Sequence, residues 1–120
     1  MDKSTLAKRI RETAYLEGDF TLRSGRKSKY YLDKYLFETQ PDILAALGKE
    51  MSAYVTVKTT RIAGAELGGV PLAAAVSMAS GKPFIIVRNA KKDYGTSKAF
   101  EGKLERGDSV LLVEDIATTG

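Results

Sequence analysis

A parallel β-sheet flanked by helices, with a smaller N-terminal cap beside it, is the α/β architecture the sequence predicts. Two observations carry this expectation. Residues 61–65, 83–87 and 109–113 form short apolar runs, the last nearly continuous, as in parallel strands covered on both faces. An Ala-rich helical stretch joins the first two runs, which is how parallel neighbours must be connected. The length of 120 residues and the 43% hydrophobic content fit one core-forming domain.

Element by element, Ser4 precedes a helical stretch that runs through about Leu16, with Leu6, Ile10, Thr13 and Ala14 on one face and Gly18 as its stop. Two β-like runs follow, residues 20–23 and 30–36, separated by the turn-forming Ser-Gly-Arg-Lys-Ser. Pro41 opens a second helix over residues 41–54, with Asp42 suited to its N-terminus. After the run at 61–65, the Gly68-Gly69-Val70-Pro71 turn leads into the Ala-rich helix, which Gly81 ends near Ser80. A polar, glycine-containing excursion over residues 88–107 separates the second and third runs.

The composition excludes much chemistry. Without cysteine there is no disulfide, thiolate nucleophile or Cys-bound zinc; without histidine there is no Ser-His-Asp triad and no imidazole acid or base. Carboxylates, Lys, Arg, Tyr, hydroxyls and backbone amides must carry any reaction. No apolar run is long enough to span a bilayer, and the polar start Met-Asp-Lys-Ser has no signal-peptide core, so a cytoplasmic protein without a membrane partner is expected. Nineteen Lys+Arg against fifteen Asp+Glu leave a net charge of +4, and the pI near 9.3 favours polyanionic ligands. No aromatic stacking pattern for nucleic acid is present, and phosphorylated small molecules satisfy the same charge argument.

The most informative stretch is Val-Leu-Leu-Val-Glu-Asp-Ile-Ala-Thr-Thr-Gly, residues 110–120. An apolar strand delivers Glu114 and Asp115 to its C-terminal end, the edge where open α/β sheets bind ligands. Ala117, Thr118, Thr119 and Gly120 follow, small enough for backbone N–H groups to approach a phosphate, with hydroxyl donors added. Acids just ahead of such a cradle suit sugar hydroxyls or a bound cation.

This segment resembles the phosphoribosyl-diphosphate signature of type I phosphoribosyltransferases. Three further segments resemble the orotate phosphoribosyltransferase family, in the family's order: residues 20–33 its N-terminal hood, residues 65–73 its diphosphate loop and following helix, and residues 86–102 its mobile basic catalytic loop. The resemblance implies a type I phosphoribosyltransferase fold, with a hood over residues 1–40 and an α/β core over 41–120. It implies transfer of the phosphoribosyl group to orotate, giving orotidine 5′-monophosphate and diphosphate, with Mg²⁺ as cofactor. A homodimer is implied as well, because the family's catalytic loop reaches into the neighbouring subunit's site.

Carried over residue by residue, Glu114 and Asp115 hold the ribose hydroxyls, and Ala117, Thr118, Thr119 and Gly120 begin the 5′-phosphate loop. Direct metal ligation by Asp115 is left open. Arg88 and Lys92, with Lys91 and Tyr94 beside them, meet the diphosphate, and Gly68 and Gly69 let backbone approach it closely. Arg23 and Tyr31 face the base, with Tyr30 on the opposite side of an alternating strand; Arg26, Glu66 and Asp108 are assigned to turns or solvent. Arg88, Lys92 and Asp115 are the residues expected to be catalytic.

Three positions depart from the family pattern: Asn89 and Gly68 stand where basic residues are common, and Tyr94 where histidine is. The sequence also ends at Gly120, inside the phosphate cradle, where the family continues for on the order of 60–90 residues. An incomplete enzyme, poorly folded and nearly inactive alone, is therefore expected. Two other readings stand beside the orotate enzyme: a phosphoribosyltransferase for a purine base, and a non-catalytic sensor of phosphoribosyl diphosphate.

Overall fold

The computed structural model describes residues 1–89 and 99–118. Helix α1 (Lys3–Ala14) starts at Asp2, whose side chain accepts from the Thr5 amide at 2.7 Å. Strands β1 (Tyr15–Thr21) and β2 (Lys27–Leu32) pair antiparallel, and helix α2 (Lys34–Glu38) follows at once. Helix α3 (Pro41–Ser52) leads to the core elements β3 (Arg61–Ala65), α4 (Gly69–Ser80) and β4 (Phe84–Val87). The short β5 (Phe100–Glu101) and then β6 (Val110–Val113) complete the order. The main sheet runs β5-β4-β3-β6, with β3 parallel to both β4 and β6.

The N-terminal third differs from expectation. Helix α1 stops at Ala14, because Tyr15 and Leu16 pair across the hairpin with Leu32 and Tyr31. Gly18 is therefore no helix stop; it sits in β1 at φ 155°, where the register shifts between Glu17 and Phe20. Residues 34–36 are helical rather than extended, since Asp33 accepts from the Tyr35 amide at 3.0 Å and starts α2. Within the 88–107 excursion, β5 pairs antiparallel with β4, so the sheet is mixed rather than wholly parallel.

Ile62, Leu72, Ala73, Val76 and Val113 form the buried core, with Leu44, Leu47 and Met51 of α3 packed against it. Small residues bring the backbones close. A Cβ on Gly48 would stand 2.7 Å from the Ala75 carbonyl, and one on Gly64 would fall on the Gly69 carbonyl oxygen and 2.7 Å from the Ala73 Cβ. Burial on both sheet faces does not extend to β6, where Leu112 is 60% exposed and Val110 43%. At the start of β6, Thr60 donates its hydroxyl to Asp108 at 2.9 Å and accepts from the Ser109 amide at 2.9 Å. Asp108 also accepts from the Glu105 amide at 2.7 Å; these bonds hold its carboxyl below the usual range and give it the expected turn role.

Gly64→Ala is expected to cost about 2–3 kcal/mol of unfolding free energy, because neither the Gly69 backbone nor Ala73 can yield cheaply. Urea denaturation of the two proteins measures it.

Candidate active site

The parallel register sets Ala65 beside Val87 and Gly64 beside Val113, so the chain leaves β3, β4 and β6 along one edge. The residues just past those ends are Glu66, Arg88 and the pair Glu114-Asp115. Such an edge is where ligands of α/β sheets bind.

Contacts tie these segments together. Gly68 lies against Asp115 so closely that a Cβ there would overlap its carboxylate, and a Cβ on Gly69 would stand 3.0 Å from Glu114 Oε1. Glycine at both positions thus lets the β3–α4 loop lie on the acidic pair. Arg88 Nη1 is 3.6 Å from Glu66 Oε1, and the Asn89 amide donates to Glu66 Oε2 at 3.3 Å. Glu66 is therefore a turn residue, as one of its two expected roles has it, but half-buried and holding the β4 end rather than solvated. The Glu66–Leu67 peptide is cis.

Glu114 is exposed, whereas the Asp115 side chain is only 7% exposed and forms a 2.7 Å ion pair with Lys34 Nζ. That contact holds the Lys34 ammonium above its ordinary pKa. A cavity of about 270 Å³ opens here, lined by Tyr31, Lys34, Tyr35, Phe37, Asp115 and Ile116. Glu38, four residues after Lys34 on α2, is 1% exposed, with no hydrogen-bond partner for either oxygen among the described residues. Burial pushes its carboxyl up to about 7; the Asp115 charge adds to that rise and Lys34 opposes it.

The structure thus brings together Gly68, Gly69, Glu114 and Asp115, and holds Arg88 on Glu66 at the same sheet edge. Tyr31 reaches the cavity and tilts against Phe20 with ring centres 5.8 Å apart; Tyr30 stacks on Tyr15 at 5.7 Å. Ala117 and Thr118 are exposed beyond β6, and Arg23 is exposed in the β1–β2 turn. Lys91, Lys92, Tyr94, Thr119 and Gly120 lie outside the described residues. Sequence reasoning missed Lys34, Glu38 and Glu66. The first two share the i,i+4 spacing of one helical face, a signal that the β-like pattern of residues 30–36 hides.

The residues present do not form a magnesium cage. Among the described residues no three Asp, Glu, His or Cys side chains converge, and Lys34 already holds Asp115 Oδ2.

The chain is similar to curated orotate phosphoribosyltransferases. It is 48% identical over 115 residues to that of Methanocella arvoryzae, covering 95% of this chain and 66% of the relative. It is 44% identical over 119 residues to that of Methanocaldococcus jannaschii, covering 98% and 68%. The crystal structure of the Mycobacterium tuberculosis orotate phosphoribosyltransferase with Fe(III) dicitrate superposes with a TM-score of 0.82 at 32% identity, covering 100% of this chain and 70% of that one. The same enzyme with 5-phospho-α-D-ribosyl 1-diphosphate gives 0.75 at 31% identity, covering 99% and 67%. No protein-family model matches the chain. The chain spans 58–68% of the length of the first three curated relatives it matches.

The raised Glu38 carboxyl has a measurable consequence. Between pH 4.5 and about 7 the folded chain keeps a proton that the unfolded chain has lost, so Glu38 makes stability fall as pH rises through that window. The loss is on the order of 3 kcal/mol. The lowered carboxyls of Asp2, Asp42 and Asp108 act in the opposite sense and below their ordinary 3.8. Urea unfolding at pH 5 and pH 8 is expected to show the fall in the native protein and a flatter response in Glu38→Gln.

Proposed function

The chain belongs to the orotate phosphoribosyltransferase family, and on that premise we propose that it transfers the phosphoribosyl group of phosphoribosyl diphosphate to orotate, within pyrimidine nucleotide synthesis. The observation that carries the reading is the meeting of Gly68 and Gly69 with Glu114 and Asp115 at the C-terminal edge of the parallel strands. The M. tuberculosis enzyme bound to the same donor supports it.

In this transfer the C1–oxygen bond to diphosphate breaks and a bond from C1 to orotate N1 forms. Positive charge grows on the ribose and negative charge on the leaving group. Ionised orotate is nucleophilic without a strong base, so a chain lacking histidine and cysteine suffices. Glu114 and Asp115 accept from the ribose hydroxyls and hold the ring. The backbone at Gly68 and Gly69 approaches the diphosphate, and Arg88, half-buried against Glu66 at the same sheet edge, supplies a fork of donors to its oxygens. Lys92 adds a point charge as the leaving group departs, with Lys91 and Tyr94 contacting the same diphosphate. Ala117, Thr118, Thr119 and Gly120 begin the loop for the 5′-phosphate, while Arg23 and Tyr31 face the base. Among the described residues none would hold Mg²⁺ by itself; a Mg²⁺ ion brought by the donor would supply charge neutralisation of the leaving diphosphate, as its preference for water and phosphate ligands favours.

The reading extends to one phosphoribosyltransferase domain, with about residues 1–40 as hood and about 41–120 as core, working in a cytoplasmic homodimer with shared sites.

With phosphoribosyl diphosphate and Mg²⁺ supplied, whatever turnover the protein supports is expected to consume orotate and to leave adenine and hypoxanthine untouched. Consumption of a purine instead would overturn the base assignment, and tight donor binding without diphosphate release would favour a sensor. Lys92→Ala is expected to lower kcat by roughly 10–100-fold while donor affinity changes little, because its charge is needed most at the transition state. Steady-state kinetics and calorimetry together separate the two effects; equal losses would assign Lys92 to ground-state binding.

A further inference from the structure

Lys34 and Glu38 are the first and last residues of α2, four apart, and so project from the same face of one helical turn. The Lys34 ammonium sits 2.7 Å from Asp115 Oδ2 and 5.2 Å from the centre of the Tyr35 ring. One turn on, Glu38 is 1% exposed, and among the described residues neither of its oxygens has a hydrogen-bond partner. A buried carboxylate with no donor is costly, and the cost falls sharply if a cation reaches it. A single ammonium on a four-carbon stem thus stands between two carboxylates, engaged by one and within an i,i+4 reach of the other.

We propose that Lys34 is a positioning residue that exchanges carboxylates: its ammonium orients Asp115, and when the hydroxyls of a ribose phosphate engage Asp115 it passes to Glu38. The inference rests on reading Asp115 as the acid that meets the ribose.

The physical balance favours such an exchange. Asp115 Oδ2 has no other polar partner among the described residues, so Lys34 both fixes its orientation and competes for the oxygen that hydroxyls need. Without a second acceptor, displacing the ammonium would strand a cation in a cavity wall where the Lys34 side chain is only 27% exposed. Glu38 removes that penalty, so part of the cost of displacing Lys34 is returned as a new ion pair. The Asp115 and Lys34 charges both act on the Glu38 carboxyl in the expected directions, the first raising its pKa and the second lowering it. Glu38 touches no donor atom in this scheme; it acts only through Lys34.

The test is Glu38→Gln, alone and combined with Lys34→Met, with donor affinity measured by calorimetry using phosphoribosyl diphosphate and Mg²⁺ at pH 8. In the otherwise native protein, Glu38→Gln is expected to raise the donor Kd and KM roughly threefold or more, with kcat nearly unchanged. Its urea midpoint is expected to stay level or rise. A residue of purely structural value would not give this combination of kept stability and lost affinity. With Lys34→Met in place, the same substitution is expected to leave Kd unchanged, since the intermediary is gone. Should Lys34→Met not fold, Glu38→Asp decides instead: keeping the charge at shorter reach, it is expected to fall between wild type and Gln. An unchanged Kd in Glu38→Gln, the same loss with and without Lys34, or a Glu38→Asp protein as impaired as Gln each overturns the exchange while leaving the transferase reading intact. A wild-type protein that binds no phosphoribosyl diphosphate overturns both.

Discussion

The site is built on how low α4 sits on β3. At Gly64 and Gly69 the two backbones nearly touch, and Ala73 one turn on closes the remaining space. That approach draws the loop after β3 down over the end of β6, until Gly68 rests on Asp115 and Gly69 near Glu114. A larger residue at any of these positions would lift the loop and separate the small-residue turn from the acids. Parallel pairing does the rest, because β3, β4 and β6 can share one register only by ending along one edge. The packing that stabilises the core is therefore also what assembles the chemistry.

Charge at this edge is distributed in pairs. Arg88 faces Glu66, and Lys34 faces Asp115, with at least one partner of each pair substantially buried. Desolvation offsets much of the attraction in such largely buried pairs, so their value lies in aiming side chains that would otherwise sample many rotamers. Glu38 is the exception: a carboxylate with no hydrogen-bond donor, buried where α2 packs against α1 and α3, is a standing cost to the fold. Such costs are most readily tolerated next to functional groups, where strain and unpaired charge have a use.

The core was legible for a simple reason. Residues 41–52, 61–65, 69–80, 84–87 and 110–113 each carry their own instruction: Pro41 with Asp42 for a helix start, Gly81 at φ 76° for a helix end, β-branched runs for strands. Burial then reinforces what local preference already favours. The N-terminal third reads poorly because its elements depend on partners. Tyr15 and Leu16 continue the helical pattern of α1, yet the ladder to Leu32 and Tyr31 takes them into a strand. The two-residue β5 exists only as a partner of β4.

By itself, the sequence determined the α/β core, the acidic pair at the end of an apolar strand, the small residues on either side of it, and the exclusion of imidazole and thiol chemistry. These follow from residue type and from neighbours close along the chain, where sterics and hydrogen-bonding capacity act directly. Only the tertiary structure decided that Glu66 holds Arg88, that Lys34 holds Asp115, and that Glu38 is buried. Lys34 and Asp115 are 81 positions apart in the chain, and Glu66 and Arg88 are 22 apart. No local pattern encodes such meetings; the packing of α2 and the register of the parallel strands bring them about.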